Sequence, residues 1–327
     1  MNTHRSIIAA LTAGLLLCLS ALGTAAKQAP EFPPGTFSDG KRYSLDELRG
    51  RVVVLFFYEQ NCPRCAGLIP ERNDIVQQYR DQPVTFIAIA AGDTADQAKA
   101  YLKRTGLEMP VFADKLSLME KLYGTKISLN NIFQFRVIDA SGKIVGYTMD
   151  QKTIDAALAG VKQAYAAQDY HEQLADVVAA LNMDKHSIAL RELRRYLNSR
   201  DEGIKASAEA LSTAVLEQAK GWVEQADALV ETDPLRAGRL YDQASDLFPK
   251  EAFGKDARTK LKELMSSPAV KNETAARKMY AKMTRAIEKM EPNQTPELIA
   301  YAKKIAEQYP DTPTGNRCAD LAAKLGG

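Results

Sequence analysis

The stretch that most constrains this chain is Arg51–Pro70, RVVVLFFYEQNCPRCAGLIP. Val52 to Tyr58 is an unbroken run of β-branched, aliphatic and aromatic residues, the composition of a strand covered on both faces. Glu59-Gln60-Asn61 interrupts the run, and Cys62-Pro63-Arg64-Cys65 opens the next element. Pro63 suits the first turn of a helix, where the N–H it lacks would have no intrahelical partner. Cys62 is then placed at the helix N-terminal end, where free backbone N–H groups and the dipole favour a thiolate. Cys65 falls one turn further in, within disulfide reach of Cys62. The expectation is an exposed nucleophile, Cys62, backed by a more buried resolving thiol, Cys65, which is the layout of dithiol exchange. Pro63 and the positive charge of Arg64 are expected to tune thiolate stability. A structural disulfide and half of a zinc site are the competing uses of such a motif. No second Cys pair or His cluster follows nearby to complete a zinc site, so neither metal nor cofactor is expected.

Around this motif, residues 27–168 alternate strand and helix patterns and predict an α/β domain with a central mixed sheet flanked by helices. Ser44–Leu48 reads as a short helix. The helix from Cys62 is expected to run to about Arg80 with a kink at Pro70. Val84–Ala90 is a second buried strand, and Thr94–Thr105 is a helix ended by Gly106. Pro110–Ala113 reads as a short extended piece and Leu116–Tyr123 as a helix. Ile132–Asp139 and Ile144–Met149 form a hairpin around Ser141-Gly142, and Lys152–Gln168 closes the unit as a helix.

Residues 1–26 read as a signal peptide: Arg5, an apolar stretch from Ile7 to Leu22, then the small residues Thr24-Ala25-Ala26. The expected location is periplasmic or otherwise extracytoplasmic, and an uncleaved segment would serve as a membrane anchor. Basic and acidic residues nearly balance, 43 against 41, which leaves no electrostatic footprint for nucleic acid. Of the four cysteines, Cys18 lies in the leader and Cys318 is a distant singleton in a helical pattern, expected as a small core residue.

The order of these elements, with CPRC after the second, resembles the thioredoxin-like fold, and more narrowly the exported TlpA/ResA-type branch and the related redoxin group. DGKRYSLDELRGRVVVLFFY (39–58), the motif with Pro70 beyond it, and RVIDASGKIVGY (136–147) carry the likeness. It implies a thiol-disulfide oxidoreductase acting on protein dithiols and disulfides, with a separate electron donor or acceptor. Asn61 stands where the family usually has Trp, Leu68 where many members have Glu, and Phe56 where thioredoxin has a buried Asp. Without that acid, proton transfer is expected to use water or Glu59. The family's cis-proline is expected where Phe133 stands, so Ile132 and Phe133 are taken as the altered substrate groove.

From residue 169 to 327 Ala, Leu, Lys and Glu dominate at helical spacing and no strand candidate remains. FPKEAFGKDARTKLKEL (248–264) aligns with YPDTPTGNRCADLAAKL (309–325): an aromatic-Pro turn, a Gly six positions on, a small residue (Ala257, Cys318) and a closing Leu. This is similar to a tetratricopeptide-type helical hairpin, whose stacked repeats commonly present a partner-binding surface. Tyr196…Gly203 reads as a decayed third copy. Trp222 is expected in the core, and His171 and His186 at surface or cap positions. Two other functions compete with dithiol exchange. One is a helical-repeat interaction protein on a redox-inert scaffold. The other is a thiol peroxidase, which would need a Pro and a Thr ahead of its Cys that Glu59–Arg64 does not supply.

Overall fold

The computed structural model describes residues 27–127, 131 and 134–326. The leader reading of residues 1–26, and Ile132 and Phe133, lie outside the described residues. A six-stranded sheet has the order β1-β4-β3-β2-β5-β6, with β1 Thr36–Phe37, β2 Val52–Tyr58, β3 Val84–Ala91, β4 Val111–Asp114, β5 Gln134–Ile138 and β6 Ile144–Gly146. Strands β2, β3 and β4 run parallel, while β5 and β6 are antiparallel on one side and β1 on the other. The parallel pairs need crossovers, which the helices between them supply.

All seven residues of β2 are buried, as its composition demands, because both faces of the central strand are covered. Val52, Val54, Phe56 and Tyr58 face the layer containing α1 (Pro63–Gly67), α2 (Ile69–Gln78), α3 (Ala95–Thr105) and α5 (Gln151–Leu158). Val53, Leu55 and Phe57 face the N-terminal segment and α4 (Leu118–Tyr123). Thr94 and Gln97 form a reciprocal capping box at the start of α3, and Gly106 ends it in the left-handed region at φ 69°.

Three local expectations change. Ser44–Leu48 is a set of turns, its carboxyl neighbour Glu31 accepting from Ser44 Oγ and the N–H groups of Leu45 and Asp46. The predicted kink at Pro70 is a break at Leu68 between α1 and α2, with Pro70 in the first turn of α2. Helix α5 stops at Leu158 instead of running to Gln168: Ala159-Gly160 form a turn, and Lys162–Ala164 beyond Val161 are exposed. Tyr165 instead turns into the core of the following helices, and its backbone pairs with the Asn182 side chain at 2.7 and 3.1 Å.

Beyond it come α6 (Ala175–Asn182), α7 (His186–Tyr196), α8 (Glu202–Leu229), α9 (Pro234–Leu247), α10 (Ala252–Ser266), α11 (Pro268–Ile287), α12 (Thr295–Gln308) and α13 (Pro313–Gly326). Helix starts follow the local sequence: Asp201, Asp233 and Ser267 accept N–H bonds from the turns they open, and Pro follows directly in α9 and α11. The aligned segments 248–264 and 309–325 share one geometry. The N–H groups of Phe248 and Tyr309 donate to Ala244 and Ile305 carbonyls, and the next helix then presses onto the aromatic residue's own carbonyl. A Cβ at Gly254 would sit 2.0 Å from Phe248 O, and one at Gly315 1.9 Å from Tyr309 O. Gly203 has no such neighbour, its Cβ meeting only the Asp201 side chain, so the device does not recur at Tyr196–Gly203.

The sheet layer and the last helices share a core. Ser117 sits in the left-handed region at φ 52°, a strained place for a non-glycine residue. On either side of it Leu116 and Leu118 pack with Met283, Ile287 and Leu298. Asp114 holds this turn by accepting the N–H groups of Leu118 (2.7 Å) and Met119 (2.9 Å); burial nevertheless pushes its carboxyl up to about 7. Glu288, just past α11, accepts from Thr36 Oγ1 and from the Ala95 N–H at the start of α3.

Candidate functional site: a buried dithiol

Strand β2 delivers the chain to the carboxyl end of the parallel strands, and Glu59–Asn61 turn it into α1. Glu59 builds that turn twice over: its carbonyl accepts from Cys62 N (3.1 Å) and its carboxylate from Asn61 N (3.0 Å). Cys62 is the N-cap of α1 with Pro63 in the first helical position. Its Sγ accepts the backbone N–H of Cys65 at 3.2 Å, so the sulfur occupies the place of a capping oxygen and meets the positive end of the turn. The two cysteines therefore lie side by side, as free thiols.

Cys62 is not the exposed member of the pair. It is 2% exposed and Cys65 1%, because the short α1 lies on the sheet and both sulfurs join the core formed with Phe56, Tyr58 and Tyr101. Burial, and then the hydrogen bond with Cys62, push the Cys65 thiol up to about 12, against a backbone hydrogen bond from Glu59 that favours its thiolate. Arg64 is exposed and makes no ion pair with a described residue. Phe56, standing where thioredoxin has an acid, is 1% exposed and stacks on Phe135 at 5.4 Å. Gln134 pairs with Phe57 in the register of β5. No cis peptide bond occurs among the described residues.

A buried acid stands near Tyr58 and Tyr101, on a loop the sequence reading passed over. Asp93, between the end of β3 and the Thr94 cap, is 4% exposed. Burial, with repulsion from Glu59, raises its carboxyl to about 6, while Arg104 pulls it down. Tyr58 and Tyr101 stack between β2 and α3 with ring centroids 4.3 Å apart. Arg104 lies over the Tyr101 ring at 5.4 Å and donates to the Gln60 carbonyl at 3.3 Å. A sequence signal existed: a carboxylate two residues past a largely apolar strand and just ahead of a capping Thr has no cap of its own to make.

Elsewhere, Cys318 is fully buried between α11, α12 and α13, its thiol pushed up to about 12 by burial. Trp222 is in the core, and His171 caps a short 3₁₀ turn through Gln173 N. His186, expected at the surface or in a cap, is buried edge-on against Trp222 at 4.8 Å, which disfavours its charged form. Among the described residues no three His, Cys, Asp or Glu side chains gather as metal ligands would, and no helix is long and apolar enough to cross a membrane.

A model of the AhpC/TSA family matches residues 25–147. The thiol-disulfide oxidoreductase ResA of Bacillus thuringiensis subsp. konkukian is 32% identical over 127 residues, covering 39% of this chain and 70% of the relative. ResA of Geobacillus thermodenitrificans is 29% identical over 164 residues, 45% of this chain and 92% of the relative. Among solved structures, a thioredoxin family thiol:disulfide interchange protein from Chlorobium tepidum TLS is 26% identical with a TM-score of 0.35, over 41% of this chain and 97% of that one.

Proposed function

This chain belongs to the family of the ResA thiol-disulfide oxidoreductases, and from that premise we propose that Cys62 and Cys65 are its exchanging pair. The observation that carries the reading is the Cys62 sulfur seated as the N-cap of α1, accepting the Cys65 N–H at 3.2 Å. That seat sets the Cys62 sulfur at the first turn of α1, while burial keeps the proton on Cys65 until the second step. Cys62 thiolate attacks one sulfur of a protein disulfide, forming a mixed disulfide and releasing the other sulfur as a thiolate. Cys65 then attacks Cys62 Sγ, closing the Cys62–Cys65 bond and freeing the substrate's second thiol. Run backwards, the same pair oxidises a dithiol, and an external electron donor or acceptor resets it. Pro63 starts the helix and Arg64 places a solvent-facing charge beside it. Ile132 and Phe133 are assigned to the substrate groove.

The protein works outside the cytoplasm, its first 26 residues serving as the export signal; Arg5 and the apolar run Ile7–Leu22 support this. Residues 27–168 carry the chemistry. Residues 169–327 form a tetratricopeptide-like unit that positions a protein partner, a role supported by the matched hairpins at Gly254 and Gly315.

A trap tests the pair. The Cys65→Ser protein, incubated with oxidised insulin, is expected to accumulate a dithiothreitol-sensitive adduct on Cys62. No adduct, with Cys62 still titratable on unfolding, would overturn the assignment.

A further inference from the structure

A cleft of about 590 Å³ opens between residues 31–47, the N-terminal segment of the redox layer, and the faces of α11 and α13. Arg277, Tyr280, Ala281, Thr284 and Arg285 line it at helical spacing, so one face of α11 is turned to it. Thr314, Arg317, Leu321 and Lys324 do the same from α13. A helix face enclosed between packed elements is ordinarily apolar, and these two carry arginine and lysine instead.

Most acids of the cleft are already engaged. Glu273, fully buried, accepts from Arg277 Nε, Thr314 N and Thr314 Oγ1. Glu31 accepts from the Phe32 and Leu45 N–H groups and from Ser44 Oγ. Asp233 caps α9, and Asp46 and Glu47 pair with Arg49 and Arg239, which lie outside the lining. That leaves Lys41, Arg42, Arg236, Arg285 and Lys324 without an ion pair among the described residues, against one unengaged acid, Asp320.

Arg317 is held differently from these. Its Nη2 donates to the Phe32 carbonyl at 2.6 Å, and its guanidinium lies over the Tyr280 ring at 5.1 Å. Glu31 stands 3.8 Å away, too far for a hydrogen bond. Its Nε and the Tyr280 hydroxyl are buried without a partner, yet 32% of the side chain stays exposed where it lines the cleft. A guanidinium anchored through one nitrogen beside an aromatic ring, with donors left over, is a preorganised seat for an oxyanion.

We propose that this cleft binds a small organic anion with two or more carboxylates, one against Arg317 and another towards Arg42, Arg236 and Arg285. A cleft of this volume takes a ligand larger than a single inorganic ion. Phe32, Phe37, Tyr43 and Leu321 in its walls cover the carbon skeleton of such a ligand. Its walls come from both the redox layer and the C-terminal helices, so a bound anion also ties the two together. No residue of the CPRC motif takes part, and the inference stands apart from the exchange reading.

The test is calorimetric titration of the full chain with citrate and, separately, with succinate, at pH 7 and low salt in a buffer free of carboxylate and phosphate. At least one is expected to bind one-to-one, to raise the melting temperature, and to bind more weakly as salt rises. Arg317→Lys keeps the charge and loses the fork, and Arg285→Glu changes an exposed position. Each is expected to weaken binding by about tenfold or more. Lys278→Glu, an exposed change on α11 outside the cleft, is expected to leave affinity within about twofold. Neither anion binding would overturn the proposal, as would equal weakening by Lys278→Glu and Arg285→Glu. Inorganic phosphate binding as tightly as citrate, with the same dependence on Arg317, would overturn it too, marking a site for any oxyanion.

Discussion

Cys62→Ser is expected to abolish dithiol exchange, by on the order of 10³-fold or more in dithiothreitol-driven insulin reduction, while the fold melts within a degree or two of wild type. A serine oxygen can still accept the Cys65 N–H that Cys62 Sγ accepts at 3.2 Å, so the α1 cap survives the substitution. What disappears is the only sulfur placed at the helix end. Cys65 cannot replace it, since burial pushes its thiol up to about 12 and leaves almost no thiolate at neutral pH. A Cys62→Ser protein that still reduces insulin disulfides at a tenth of the wild-type rate would contradict this division of roles.

The second large effect is on stability and far from the dithiol. Gly315→Ala and Gly254→Ala are each expected to destabilise the helical region by about 2–4 kcal/mol, read by calorimetry as a fall in melting temperature. The added methyl would lie 1.9 Å from Tyr309 O, or 2.0 Å from Phe248 O, and a backbone carbonyl held in a helix end cannot step aside as a side-chain tip can. Gly221→Ala is the control. Nothing lies within 4 Å of its Cβ in the middle of α8, so removing a helix-interior glycine should stabilise by about 0.5–1 kcal/mol. Equal effects at Gly221 and Gly315 would show that close approach is not the cause.

These glycines also show what the sequence made legible. The repeated spacing from Phe248 to Gly254 and from Tyr309 to Gly315 was visible as a pattern, and its cause is contact between a helix and the carbonyl of the preceding turn. The strands β2 and β3 were legible because both faces are covered, so their apolar runs are broken by one polar residue at most, Thr85. Helix starts at Pro234 and Pro268 were marked by Asp233 and Ser267 in front of them. Less legible was anything set by one element lying against another. Cys62 was expected to be exposed because a helix N-terminus usually is, but α1 is short and lies down on the sheet. On β2 the position of thioredoxin's acid holds Phe56, and the buried carboxylate is Asp93, on the neighbouring strand's loop. His186, with no acid or Cys at ligand spacing, was expected at the surface or in a cap, yet α8 brings Trp222 over it. Leu116 and Leu118 could be assigned to a helix but not to the core they share with α11 and α12.

The structure also joins the redox layer to the helices beyond it. Glu288 accepts from Ala95 N in the turn that follows Asp93, and Leu116 and Leu118 complete a core made chiefly by the C-terminal helices. A partner held by the helical region would therefore be held at a fixed place relative to the dithiol.

The most direct test of the account is the reduction potential of the Cys62/Cys65 pair in the purified protein, titrated against defined dithiothreitol and glutathione buffers. The account predicts a reversible two-electron transition with a midpoint between about −270 and −120 mV, lost in Cys62→Ser. A pair that forms no disulfide at any poise while the protein stays folded would contradict it, and would leave CPRC as packing.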